Sequence, residues 1–290
     1  MISPKHKKFR IENPMFWHTH RGGWSYVLNI LQSEFYAADG TLFISAIEDV
    51  MMKKKSIEEP WTGFVHQVPR NNLEKFLDLE RLLENKTWIE SLKYCKGLYT
   101  ISHYLKSYLE SKGLPVSINH VHYAIDFQFK KFDLVNFLNH PRKVVFIGEF
   151  MRNYQAFFDL NAGNYQKLLL ANDGSRNANL PSTSSVKVLD RLSDNDYDQM
   201  LSESIVFLNL FDAPANTTVV ECLGRNTPIL INKLPGVVDY LGEDYPFYYD
   251  TLDEASKKLA DDNLIEKTWR FLMESENKKK LSKEYFINAI

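Results

Sequence analysis

The residues whose types and spacing best suit chemistry fall between Ile205 and Asp250, in the stretch IVFLNLFDAPANTTVVECLGRNTPILINKLPGVVDYLGEDYPFYYD. An apolar run, Ile205 to Phe211, leads into a polar turn, Asp212-Ala213-Pro214-Ala215. Asn216-Thr217-Thr218 then reads as a helix start, with Glu221 one turn inside it. A helix N-terminus offers unpaired N–H groups and the positive end of the helix dipole, so it attracts an anion. The Asn and Thr side chains add further donors to that anion. A carboxylate one turn further on would repel phosphates, but it suits ribose hydroxyls, which can donate two hydrogen bonds to it. Asn216, Thr217, Thr218 and Glu221 therefore fit a nucleoside diphosphate; the first of them also fit an ordinary helix cap.

The elements that must position these residues follow from the pattern around them. The helix breaks near Arg225-Asn226, and a second apolar strand, Pro228 to Asn232, leads to Pro235-Gly236. Strand, helix, strand is a βαβ unit. Upstream, Lys143 to Gly148 reads as the first strand of a Rossmann-like unit, with Arg152-Asn153 in the turn after it. Strands at Gln166–Ala171 and Val186–Leu189 follow, separated by a Gly/Ser/Asn-rich loop, and a capped helix spans Ser193 to Ser202. Asp194, Asp196 and Asp198 carry the spacing of a cation-holding Asp-x-Asp pair, yet they start a helix, where the dipole favours them as capping acids. No metal site is expected, and the His18/His20 pair has no third and fourth ligand in evidence.

The first half alternates in the same way. Pro14 to Trp17 is a short apolar run feeding His18-Thr-His20-Arg21-Gly22-Gly23, a turn that brings backbone N–H groups close to a ligand. Strands are expected at Thr41–Ile47, Trp61–Val65, Gly97–Ile101 and Val116–Tyr123, with helices over Asn72–Leu83, Thr87–Tyr94 and Ser102–Ser111. Alternation of this kind implies mainly parallel sheets covered on both faces. The segment Ile125 to Arg142 lacks a clean period, and it separates an N-terminal domain, 1–130, from a C-terminal one, 131–290. The tail from Thr251 reads as two or three helices, the last expected to pack back on the N-terminal domain.

Composition bounds the function. The chain has 290 residues, enough for two ordinary domains, with 44% hydrophobic and 25% charged residues, as in soluble globular proteins. A net charge of −2 gives no reason to expect nucleic acid as a partner. The two cysteines, Cys95 and Cys222, have apolar neighbours and read as buried thiols. With no apolar run of about 18 residues, the expectation is a cytoplasmic protein. Basic clusters at Lys5–Arg10, Lys53–Lys55 and Lys278–Lys280 read as solvated ends, or as the means of a weak membrane-surface association.

The order of small polar residues, Val219-Val220-Glu221-Cys222, Asn226-Thr-Pro-Ile-Leu-Ile231, Pro235-Gly-Val237 and Tyr240-Leu-Gly242 resembles the donor-binding segment of two-domain, GT-B fold glycosyltransferases, in particular the bacterial polysaccharide-type members of families four and one. The resemblance implies two Rossmann-like domains with parallel sheets facing a central cleft, the acceptor on the N-terminal side and the donor on the C-terminal side. It implies a hexosyltransferase-like enzyme that moves a sugar from a nucleotide-diphosphate sugar to a saccharide or lipid-linked acceptor, with the donor as substrate and no cofactor. On that resemblance Glu221 matches the second glutamate of the family's Glu-x7-Glu pattern and holds the ribose, whereas Ala213 stands at the first. Arg152 falls where the family carries a basic residue for the diphosphate, and a guanidinium there would offset leaving-group charge. His66, after the strand Trp61–Val65, matches a histidine that faces the transferred sugar, as acid/base or as a hydrogen-bond partner. His20 and Arg21, with His18, stand ready for the sugar, acceptor or phosphate. The break at Ala213 keeps open a nucleotide-sugar epimerase and a non-catalytic nucleotide- or sugar-binding subunit.

Overall fold

A computed structural model describes residues 7–14, 23–53, 56–71, 78–170 and 185–290. The strands in chain order are β1 (Phe9–Ile11), β2 (Thr41–Ile44), β3 (Trp61–Val65), β4 (Cys95–Thr100), β5 (Ile118–His120), β6 (Lys143–Ile147), β7 (Gln166–Leu170), β8 (Val186–Leu189), β9 (Ile205–Leu208), β10 (Ile229–Asn232) and β11 (Tyr248–Tyr249). The α-helices are α1 (Trp24–Ile30), α2 (Ile47–Lys53), α3 (Leu79–Glu84), α4 (Lys86–Leu92), α5 (His103–Ser111), α6 (Leu134–Asn139), α7 (Tyr154–Asp159), α8 (Asp194–Ser202), α9 (Thr217–Arg225), α10 (Pro235–Leu241), α11 (Leu252–Leu259), α12 (Asp262–Glu274) and α13 (Lys283–Ala289). Two compact units form. One holds Met1–Ile125 together with Lys279–Ile290, the other Asp126–Lys278.

The N-terminal unit carries the parallel sheet β1-β2-β3-β4-β5. The central strand β3 is buried along its whole length, as expected where both faces are covered, whereas the flanking β1 and β5 are buried at one residue of three. Trp24, Trp61, Trp88, Phe35, Phe43 and Phe64 fill the core, each no more than 1% exposed. The C-terminal segment belongs here: Leu281 O accepts from Ile125 N at 3.0 Å, and Phe286 stacks on Phe64. Several elements differ from the pattern read in the sequence: the helix expected over Asn72–Leu83 is interrupted at Asp78, an extended cap from which Leu79–Glu84 starts, and the strand expected over Val116–Tyr123 is confined to Ile118–His120. Phe9–Ile11 is a strand because its alternate residues pair with Thr41–Phe43, a long-range partner that a basic terminus does not advertise. The expected strand over Thr41–Ile47 stops at Ile44, and Ile47–Lys53 is helical.

The C-terminal unit carries the parallel sheet β11-β10-β9-β6-β7-β8. Here β6 is flanked by β7 on one side and β9 on the other, so the chain reverses its direction across the sheet between β6 and β9. In open α/β sheets such a reversal leaves a crevice beyond the strand C-termini, where ligands bind. Phe146, Phe157 and Phe207 pack the centre. Helices start at side-chain caps: Asn153, Ser193, Asn216, Thr251 and Asp261 each accept a backbone N–H. No helix of the described residues is long and apolar enough to cross a membrane.

Candidate functional site

The crevice beyond β6 and β9 gathers Arg152, Asn216 and Thr218. Gly148, directly after β6, has φ +88, and a Cβ there would come within 2.8 Å of the Arg152 guanidinium. Only glycine leaves that space. The backbone then turns through Met151 at φ 56, a left-handed conformation that side chains rarely adopt. Neighbouring strand ends hold this turn: Phe211 N donates to Met151 O at 3.0 Å, and Asn153 N donates to Asn209 O at 2.9 Å. Asn232 braces the same edge, with Oδ1 accepting from Leu210 N at 2.8 Å and Nδ2 donating to Leu210 O at 2.9 Å.

So held, Arg152 donates from Nε to Ile147 O and from Nη1 to Phe150 O, both at 3.0 Å, and from Nη2 to Asn216 Oδ1 and Thr218 Oγ1, both at 3.3 Å. A guanidinium has five N–H groups, so one on Nη1 is left without a protein acceptor among the described residues. Among the described residues no carboxylate lies within ion-pair distance of it. Burial pulls its pKa down to about 10, with only partial compensation from Tyr154, Tyr197 and Glu149. A partly desolvated cation with only partial compensation is costly, and an anion would relieve that cost. Asn216 meanwhile caps α9, its Oδ1 accepting from Val219 N at 3.3 Å. The same Oδ1 thus serves the helix cap and the Arg152 guanidinium, and Thr217 opens the helix, half-buried.

Glu221 lies one turn into α9, only 4% exposed. The Tyr197 hydroxyl, from α8, donates to its Oε2 at 2.6 Å, and burial followed by this carboxylate pushes the phenol far above its usual range. Ala213, at the position of the absent first glutamate, is buried. A Cβ on Gly236 would meet Ala213 O at 2.0 Å, so the Pro235-Gly236 start of α10 packs directly on that turn. Asp212 is held locally, its Oδ1 accepting from Ala213 N at 2.7 Å.

The acidic trio at the start of α8 divides by role. Ser193 caps the helix by accepting from Asp196 N, and Asp194 and Asp196 occupy its first turn. Asp198 instead pairs with Arg225 at 2.6 Å, and Arg225 is 1% exposed with its guanidinium 4.2 Å from the Phe129 ring centroid. Cys222 is buried and Cys95 half-buried; both are free thiols, and burial raises Cys95 to about 11.

His66 occupies the C-terminal end of β3, in the other unit. Its imidazole is 7% exposed, 4.3 Å from the Trp24 ring centroid. Nε2 lies 2.9 Å from Ser45 O and Nδ1 lies 3.3 Å from the Tyr123 hydroxyl. A carbonyl only accepts, so Nε2 carries the proton and Nδ1 accepts from Tyr123. Burial draws the ring down to about 4, so it is neutral near pH 7. Proton transfer through Nδ1 would require release of the Tyr123 bond. Next to it, Glu48 Oε1 accepts from both His66 N and Gln67 N at 2.7 Å, and burial, only partly offset by these bonds, raises its pKa to about 7. His18, His20 and Arg21 lie outside the described residues.

Tyr197, Asn209, Asn232 and Glu48 were not among the candidates read from the sequence. Each acts through a partner far along the chain, so no local motif flags it; the one available signal was polarity at strand C-termini, as in Leu208-Asn209 and Ile231-Asn232.

Neither a family model nor a curated protein sequence matches this chain. Solved structures do match. Sucrose-phosphate synthase from Thermosynechococcus elongatus superposes with a TM-score of 0.62 at 12% identity over 79% of this chain and 65% of that one. Anabaena HepE, in complex with UDP and glucose, gives 0.61 at 11% identity over 79% of this chain and 69% of that one. S. aureus TarM, in a complex that includes UDP, gives 0.57 at 10% identity over 82% of this chain and 52% of that one. The chain thus spans 65% of the first and 52% of the last. At such identities the likeness speaks for fold alone, and the fold is that of two parallel, Rossmann-like α/β units of the GT-B type.

Proposed function

We propose that this chain is a nucleotide-sugar-dependent glycosyltransferase whose donor diphosphate binds on the C-terminal unit, between Arg152 and the N-terminus of α9. One observation carries the reading. At the switch point of the sheet, Arg152 is a half-buried guanidinium with no carboxylate in ion-pair distance and one N–H without an acceptor among the described residues, fastened to the capping Asn216 and to Thr218. The fold likeness to proteins solved with UDP supports the choice of anion. In this reading Asn216, Thr217, Thr218 and Arg152 hold the diphosphate and stabilise the leaving group as the glycosidic bond breaks. Glu221 accepts from the ribose hydroxyls, exchanging or sharing its bond from Tyr197. The acceptor, a saccharide or a lipid-linked one, belongs to the N-terminal unit. There His66 acts as a neutral imidazole, positioning the sugar through the Ser45–His66–Tyr123 chain or taking a proton once Tyr123 lets go.

Ala213, in place of a first glutamate, favours a binding-only protein as the second reading. Incubation with a panel of nucleotide sugars, with and without EDTA, separates the two. Released nucleoside diphosphate that persists under chelation supports the transferase, binding without turnover supports the second reading, and no binding of any nucleotide sugar refutes both.

A further inference from the structure

Three imidazoles meet at the C-terminal edge of the N-terminal unit's sheet. His103 opens α5, His120 ends β5 and His122 follows two residues on. The His103 and His120 ring centroids are 3.9 Å apart, and those of His120 and His122 are 4.4 Å apart. Lys106, one turn along α5, and Lys280, from the C-terminal segment, lie close enough to add to the positive field at His120. Tyr285 of α13 closes the far side, its ring 6.2 Å from His122. The charged and titratable groups acting on His120, among the described residues, are His122, His103, Lys106 and Lys280, all potential cations; Glu110 pairs with Lys106 at 3.7 Å. The Nε2 atom of His120 is buried and has no hydrogen-bond partner among the described residues. A buried polar atom left unpaired in a native fold calls for an explanation.

A metal ion is one way to satisfy clustered imidazoles, but no three His, Cys, Asp or Glu side chains of the described residues converge as a metal requires. An anion fits the charge instead. We propose that His103, His120, Lys106 and Lys280 form a binding site for a phosphoryl group, carried by a soluble phosphorylated sugar or by a lipid headgroup, and that the site takes up a proton as it fills. The uptake follows from the geometry. His120 packs against two other imidazoles, and burial together with the neighbouring His122, His103 and lysines holds it down to about 3 while the site is empty. A phosphate dianion reverses that field, favours the imidazolium and gives Nε2–H its acceptor. The site rests on neither Arg152 nor α9, so it stands or falls apart from the nucleotide reading.

The test is nuclear magnetic resonance of the imidazole signals in the full chain, assigned with His103→Asn and His120→Asn, titrated with methyl phosphate and, as an ionic-strength control, chloride. The expected result is a saturable shift of the His120 signal toward its protonated position, with the adjacent His103 signal perturbed at the same ligand concentrations. Calorimetry in buffers of different ionisation heat should register the proton taken up. Lys106→Ala/Lys280→Ala should weaken binding by roughly tenfold or more, the scale of a lost charge-assisted bond. Vesicles containing phosphatidic acid, against phosphatidylcholine vesicles, form the second arm. Binding there but not to methyl phosphate assigns the site to a lipid headgroup, and the reverse to a soluble ligand. Signals that move no more than in chloride, with no binding to either vesicle, overturn the proposal. So does phosphate binding that is unchanged in both His120→Asn and the double lysine variant.

Discussion

Glu48→Gln is expected to stabilise the N-terminal unit at alkaline pH and to do nothing in acid. The Glu48 carboxyl bridges the ends of β2 and β3 by accepting from two backbone N–H groups, a task the Gln carbonyl oxygen can perform without charge. Burial raises the native carboxyl from 4.5 to about 7, and the repulsion from Asp49 adds to it. Between those values the folded chain keeps a proton that the unfolded chain has lost. Stability therefore falls as pH rises from 4.5 to about 7, and the loss is complete above that window. At roughly 1.4 kcal/mol per pH unit the interval amounts to about 3 kcal/mol, an upper figure for what Glu48→Gln returns. His66 works in the opposite sense, since its native value near 4 means stability is gained as pH rises from 4 to 6.5. It is common to both proteins and cancels in the difference. Urea unfolding followed by tryptophan emission is the assay, because Trp24, Trp61 and Trp88 are all buried in this unit. The variant should gain about 3 kcal/mol at pH 8.5 and about zero at pH 4.5. A difference that is independent of pH, or a loss of stability at pH 8.5, refutes the assignment of a buried, reluctant carboxylate.

Three further outcomes follow from the C-terminal unit. Glu221→Ala should weaken nucleoside diphosphate binding by roughly 10- to 150-fold, about 1.5–3 kcal/mol, while Tyr197→Phe, which removes the competing phenol bond, should not weaken it; calorimetry on both variants decides. Arg225→Ala breaks the buried ion pair with Asp198 and should cost about 3–5 kcal/mol in chemical denaturation. Gly236→Ala places a methyl against Ala213 O and should lower stability by about 1–3 kcal/mol, with loss of nucleotide affinity as the turn before α9 is displaced; an unchanged melting temperature contradicts that packing.

Much of the fold was legible because strand and helix periods differ and the turns carry their own chemistry. Trp61–Val65 and Val186–Leu189 are strands over the residues expected, and Ser102, Ser193 and Asn216 cap the helices they were read to start. What escaped depends on distant pairing. Phe9–Ile11 becomes a strand only beside Thr41–Phe43, and Ile47–Lys53 turns helical where apolar residues continued the strand pattern. The candidate site divides in the same way. Asn216 and Thr218 were visible from helix-start chemistry, yet their contact with Arg152 spans more than sixty positions and comes from the order of β6 and β9 in the sheet. The burial of His66 was not legible either, since a strand-end histidine reads the same whether it faces water or, as here, Trp24, Ser45 and Tyr123.

The most direct test of the donor site is the affinity gap between a nucleoside diphosphate and its parent nucleoside, measured by calorimetry for the unmodified chain and for Arg152→Met. A panel of bases selects the pair. Any loosening of the turn would weaken both ligands together, so the gap isolates the phosphate contact. If the guanidinium and the α9 N-terminus hold the diphosphate, the unmodified chain should prefer the diphosphate strongly. Arg152→Met should then shrink that preference by roughly 10- to 150-fold while nucleoside affinity stays put. A preference that survives the substitution in a folded variant, or a chain that binds no nucleoside diphosphate at all, would contradict it.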